Sequence, residues 1–224
     1  MKKTFYILTS LIFSQAVFGL NDSQTIYARD VISIVEPKQG CKVLHFGDSQ
    51  AAGYPGRHIE YRMTNLGCIH DRSMAESGSS VKDWIHRKGR LAIKVEQFKP
   101  TIIILNLGGN DSKRAKTLAL SEDIAELIHW LSYLPAQIIW IGPPKSCGKT
   151  QKDIERAINR KIVSQKIMDI VGPDIFIDSS EISCKYKRCS DGIHFTHDGA
   201  RQYIDEIFPT IEKMLDRGFE PGLQ

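Results

Sequence analysis

The chain has 224 residues, 42% hydrophobic and 25% charged, with a formal net charge of +4 at pH 7. These are ordinary values for one globular domain. Lys and Arg are scattered rather than gathered into a basic patch, so nothing in the composition argues for a nucleic-acid partner.

The first twenty residues, MKKTFYILTSLIFSQAVFGL, read as a secretory signal. Lys2 and Lys3 form a basic start, an apolar core runs from about Phe5 to Phe18, and small Gly19 offers a cleavage point. Thr9, Ser10, Ser14 and Gln15 interrupt this core, which is short for a membrane span. Membrane association is therefore expected only through this segment if it is uncleaved. The expected organisation is a signal peptide over residues 1–19 and a single domain over 20–224, exported to the periplasm or secreted. Removing residues 1–19 leaves 28 basic against 26 acidic residues, close to balance.

Along the rest of the chain, continuous apolar runs alternate with helical patterns. KVLHFGD (42–48), TIIILNLGGND (101–111), AQIIWIGPP (136–144) and PDIFIDSS (173–180) have the character of strands buried on both faces. A weaker strand is expected around Leu66 to Met74. Residues 81–98 carry Val81, Trp84, Ile85, Leu91, Ile93 and Val95 at roughly helical spacing, interrupted by Gly89. A second helix opens at Ser121 as N-cap, a third covers residues 151–171, and the last runs from about Asp198 to Leu215. The alternation predicts a three-layer α/β/α domain with a mostly parallel sheet. There is no internal repeat and no linker.

Five cysteines follow the signal segment: Cys41, Cys68, Cys147, Cys184 and Cys189. An oxidising compartment favours disulfides, and an odd count leaves one thiol over. Cys184 and Cys189 bracket KYKR and can close a short loop, but the pairing itself is not readable from sequence. None of the spacings suggests a zinc site, and no metal or cofactor is expected.

In open parallel sheets the polar chemistry collects beyond the carboxyl ends of the strands. Each strong strand here runs into a distinctive loop: GDSQ, GGND, GPPKSCG and DSSEISCKYKRCSDGIH. Ser49 in a tight strand-to-helix turn can expose its hydroxyl as a nucleophile, or simply serve as a helix cap. Asn110 follows two glycines and can donate its amide to developing negative charge, or cap the next helix. Gly78 can offer a backbone N–H to the same charge, though singly it reads as a turn glycine. In DGIHFTHDGA (191–200), His194 follows Asp191 by three residues. Imidazole suits the role of base for a serine, and the carboxylate can fix its tautomer. His197 with Asp198 is the competing pair, placed where Thr196 can cap the final helix. His45, His58, His70, His86 and His129 are expected to be structural or solvated.

Together these blocks resemble the SGNH hydrolases, the GDSL esterase and lipase family. GDS with Ser49, a glycine after the second strand at Gly78, GGND with Asn110, and DGIH with Asp191 and His194 occur in order over roughly residues 42–210. The resemblance implies a flavodoxin-like five-stranded parallel sheet and a serine esterase. It implies Ser49 as nucleophile, His194 as base and Asp191 as orienter. The Ser49 and Gly78 N–H groups and the Asn110 amide would form the oxyanion hole. Gln50 departs from the leucine of GDSL, and Gly67 is the alternative to Gly78.

The substrate expected is an acylated, most readily O-acetylated, carbohydrate of the envelope or extracellular space, peptidoglycan included, or a small ester. The site loops are polar or basic, with Arg57, Lys113, Arg114, Lys145, Lys149, Lys185, Lys187 and Arg188, and long apolar lid segments are missing. Lysophospholipase or thioesterase activity on longer chains, and O-acetyl transfer on the same fold, are the alternatives.

Overall fold

The computed structural model describes residues 40–217; the expected signal segment lies outside them. In chain order the elements are β1 (Lys42–Gly47), α1 (Ser49–Ala52), α2 (Tyr54–Asn65), β2 (Ile69–Asp71), α3 (Val81–His86), α4 (Lys88–Phe98) and β3 (Ile102–Asn106). They continue with α5 (Leu118–Ser132), β4 (Gln137–Ile141), α6 (Gln151–Val171), β5 (Phe176–Ile177) and α7 (His197–Asp216). Short 3-10 turns lie at Gly109–Arg114 and Ser183–Lys185.

The five strands form one sheet, all parallel, in the order β2-β1-β3-β4-β5. Alternation in the strands divides the core in two. Ile103 and Leu105 of β3 point to the face that carries Trp84, Leu91, Ile124, Leu127 and Val163. Ile102 and Ile104 point to the other, where α2 supplies Ile59 and Met63 and α7 supplies Tyr203, Ile204, Ile207, Phe208 and Ile211. Helices thus cover both faces, giving the three-layer α/β/α architecture of the flavodoxin-like order. Each fully buried Leu, Ile or Phe contributes about 1.5–3 kcal/mol.

Local boundaries depart from the sequence expectation in three places. The helical pattern over 81–98 is two helices that part at Arg87, while Gly89 lies inside α4. A reciprocal capping box fixes the start of α3, the Ser80 side chain pairing with the Asp83 N–H and the Asp83 carboxylate with the Ser80 N–H. Ser121 is not an N-cap: Thr117 caps α5 by accepting from the Leu120 N–H, so the helix begins four residues earlier. The weak strand exists only as Ile69–Asp71, at the sheet edge.

Cys41 pairs with Cys68, and Cys147 with Cys184, leaving Cys189 as an exposed thiol. The short loop closure between Cys184 and Cys189 is therefore not formed. Cys184 reaches instead to the loop after β4. Closing loops of 27 and 37 residues is worth about 3–4 kcal/mol each in the chain-entropy account.

Candidate active site

The sheet order reverses between β1 and β3, so the loops leaving those strands diverge and open a crevice at their carboxyl ends. Gly47 ends β1 at φ +141°. Its Cα faces β3 so closely that a Cβ would lie 2.0 Å from the Asn106 carbonyl oxygen. Asp48 then caps α1, its Oδ1 accepting from the Gln50 N–H at 2.8 Å. That cap makes Ser49 the first residue of a four-residue helix, partly exposed at the crevice. A helix this short cannot hold itself. Arg72 donates to the Ala51 and Ala52 carbonyls at 3.0 and 2.8 Å, satisfying its otherwise orphaned end.

The loop before α7 delivers the histidine. Asp191 Oδ1 accepts from the Ile193 and His194 N–H groups at 2.8 and 2.9 Å, and Oδ2 lies 2.5 Å from His194 Nδ1. Burial opposes ionisation of Asp191, but these hydrogen bonds, with the His194 side chain first among them, outweigh it and hold the carboxyl down at about 2. An ionised carboxylate only accepts, so His194 Nδ1 carries the proton and Nε2 is left as an acceptor. Nε2 lies 2.9 Å from Ser49 Oγ. The loop is pinned by the Cys147 N–H to the Gly192 carbonyl at 2.9 Å and by the Cys189 N–H to the His194 carbonyl at 2.8 Å. Gly192 has φ +64°, and a Cβ there would lie 2.7 Å from the Gly148 nitrogen.

His197 does not join this chain. It is the first residue of α7, capped by Thr196, whose Oγ1 accepts from the Gly199 N–H. Its ring meets Tyr54 at 5.5 Å and His58 at 4.9 Å between centroids.

Asn110 and Gly78 lie on two loops that dock on each other. Asn110 Nδ2 donates to the Ser79 carbonyl at 2.9 Å, which leaves its second N–H for another acceptor. Buried Asp111 accepts from the Val81 N–H at 3.1 Å. Ser79 Oγ donates to the Gly47 carbonyl at 3.0 Å, and Glu76 N–H does so at 2.9 Å. Gly78, exposed at φ +86° with open space beside it, therefore belongs to the loop beside the end of β1. Gly67 lies instead between α2 and the start of β2, at the opposite end of that strand.

Sequence reasoning missed what lies beneath Ser49. Asp48 is buried, and burial pushes its carboxyl up to about 6 against the Gln50 N–H, Arg160, the Gly109 N–H and His194, all of which favour the charge. Arg160 of α6 is 5% exposed and donates to the Pro144 carbonyl at 2.9 Å. A Cβ at Gly109 would lie 3.1 Å from both the Arg160 guanidinium and the Asp48 carboxylate, so a side chain there would crowd both. The available signal was Arg160 itself, which shares the buried stripe of α6 with Val163, Ser164 and Ile167. His45 is buried in β1 with Nε2 2.7 Å from Asn106 Oδ1. Among the described residues no group of three or more His, Cys, Asp or Glu is placed to hold a metal ion.

No protein-family model matches the chain, and no curated protein matches it. Solved structures do. An acetylxylan esterase from Geobacillus stearothermophilus is 19% identical at a TM-score of 0.55, over 83% of this chain and 97% of that one. A lipase/acylhydrolase from Enterococcus faecalis is 21% identical at a TM-score of 0.55, over 77% and 96%. A protein assigned to the SGNH hydrolases, from Slackia heliotrinireducens, is 14% identical at 0.59, over 77% and 99%. The chain has the fold of an SGNH hydrolase.

Proposed function

We propose that the chain is an exported serine esterase of the SGNH hydrolase family that removes O-acetyl or other short acyl groups from an envelope or extracellular polysaccharide. The observation that carries this reading is the relay from Ser49 Oγ through His194 to Asp191, at 2.9 and 2.5 Å. Ser49 Oγ attacks the ester carbonyl carbon while His194 Nε2 takes its proton. The Ser49 and Gly78 N–H groups and the free N–H of Asn110 receive the developing oxyanion, where a single donor is worth about 10²–10³ in turnover. Collapse expels the sugar hydroxyl with the proton from His194, leaving an acyl-serine. Water then attacks with His194 again as base, releasing the acid and the free serine. Asp191 stabilises the imidazolium formed at each stage.

A short acyl group on a polar substrate suits the basic loops around the site, and two of the solved structures with this fold are named as an acetylxylan esterase and a lipase/acylhydrolase. Two disulfides favour an oxidising compartment, in keeping with export. Among the described residues no helix is long and apolar enough to cross a membrane. Rates on p-nitrophenyl acetate, butyrate, octanoate and palmitate test the reading, followed by acetate release from acetylated glycans. Activity is expected to peak at acetyl and fall steeply by octanoate; a maximum at octanoate or palmitate would move the protein to the lipase or thioesterase reading.

A further inference from the structure

A groove of about 560 Å³ lies between α2 and α7. Tyr54, Arg57 and Tyr61 fall at i, i+3 and i+7 on one face of α2, and His197, Arg201 and Asp205 at i, i+4 and i+8 on one face of α7. Tyr54 meets His197 at one end, and Arg62 pairs with Asp205 at 3.0 Å toward the other. The helices therefore run parallel. Tyr54 follows Ser49 by five residues and His197 follows His194 by three, so the near end of the groove is built by the first turns of the two helices that the relay segments lead into. The groove extends about 10 Å along α2 at the helical rise, room for more than one sugar ring.

The lining is selective in charge. The one acid, Asp205, is already engaged by Arg62, whose guanidinium also stacks on the Phe208 ring at 4.5 Å. Arg57 is held over the Tyr54 ring at 5.7 Å. Among the described residues neither Arg57 nor Arg201 has an ion-pair partner, and both are exposed. Single exposed arginines are common on helices. Two unpaired guanidiniums lining one groove from different helices, with Tyr54 and Tyr61 exposed at 41% and 64%, are a different arrangement. Guanidinium forks match carboxylate and phosphate oxygens, and the tyrosine rings offer flat faces with a polar edge.

We propose that this groove is a subsite for an anionic sugar of the substrate glycan, its carboxylate or phosphate held by Arg57 and Arg201 and its ring laid on Tyr61. The proposal rests on the reading of Ser49 as the nucleophile of a glycan deacylase, and it narrows that substrate to an acidic polysaccharide whose acylated unit sits beside a charged one.

Calorimetric titration of the intact protein tests it without requiring turnover. The ligands are trigalacturonate against its methyl ester, and a hexose phosphate against the free hexose. At low salt one of the two anions is expected to bind at least about tenfold more tightly than its uncharged counterpart, and whichever does so identifies the anion. The advantage should shrink at high ionic strength and fall to within about twofold in R57A/R201A, with R57K/R201K intermediate. Equal affinity for charged and uncharged ligands overturns the proposal. So does a full charge advantage in the folded single variants R57A and R201A and in the double variant. Hydrolysis of p-nitrophenyl acetate separately tests the esterase reading: no turnover with an intact anion preference sinks that reading alone, and turnover without the preference sinks the groove alone.

Discussion

Replacing Asp191 by asparagine tests the relay at the point where its geometry is most exacting. The shape is kept, and the amide oxygen can still accept from the Ile193 and His194 N–H groups now bonded to Oδ1. The atom facing His194 Nδ1, at 2.5 Å in the wild type, becomes an N–H donor. The imidazole then places its proton on Nε2, where it can no longer accept from Ser49 at 2.9 Å. On the analogy of the serine-protease triad, kcat/KM should fall by about 10³–10⁴, or about 4–5.5 kcal/mol on the barrier. Stability should move much less. The carboxyl sits below its ordinary value of 3.8, at about 2, so its contribution is complete above pH 3.8 and lost as pH falls through about 2. Because the side chain is 42% exposed, solvent screening limits that contribution to under about 1 kcal/mol. Steady-state kinetics on p-nitrophenyl acetate and a thermal melt on the same preparation separate the two effects. Retention of more than about a tenth of wild-type kcat/KM by a normally melting Asp191→Asn protein would refute the assignment.

Ser49→Ala should fold normally and lose nearly all turnover, because no acyl-enzyme can form; survival of about a tenth of the wild-type rate contradicts the nucleophile assignment. His194→Ala should lose several powers of ten in turnover, whereas His197→Ala should keep the relay and change stability by about 1 kcal/mol; the reverse pattern in paired assays and melts exchanges their roles. Burial sets two opposed pH dependences: it lowers His45 and His70 to about 3 and about 4, so stability falls as pH drops below their ordinary 6.5, and it raises Asp48 and Asp111 to about 6, so stability rises as pH drops toward 3.8. The two effects therefore oppose each other between about pH 6 and 4.5, and Asp48→Asn should add a loss of about 1.4 kcal/mol per pH unit there on acidification; equal slopes in urea titrations of the two proteins would contradict the buried charge.

The legible parts of the fold were those whose burial is set by local pattern. β3 is buried throughout, so Ile102–Leu105 is an unbroken apolar run, and β1 and β4 carry shorter buried apolar stretches. β2 is an edge strand with no fully buried residue, so its signal is weak although the fold requires it. The start of α5 lies at Thr117 rather than Ser121 although both residue types suit a cap, and the earlier start brings Leu120 into the helix, where it is buried in the core. Ser49, His194 and Asp191, which the structure brings within hydrogen-bond distance of one another, were legible because their loops carry short motifs. Asp48 stands in the sequence only as the end of the first apolar run. Its partner in charge is Arg160, more than a hundred residues later, with Gly109 close to both, a long-range fact that local pattern cannot carry.

The same logic explains how two histidines three residues apart come to face different tasks. Thr196 stops the irregular loop and starts α7. Before it, the backbone follows the Asp191 carboxylate, and His194 points to Ser49. After it, helical geometry turns His197 toward Tyr54 and His58 of α2. Thr196 is itself tied to the Lys187 carbonyl through its N–H at 3.2 Å, and the following Gly199 packs so tightly that a Cβ would lie 2.1 Å from that same oxygen. One anchored turn therefore fixes both the proposed base and the near end of the proposed sugar groove.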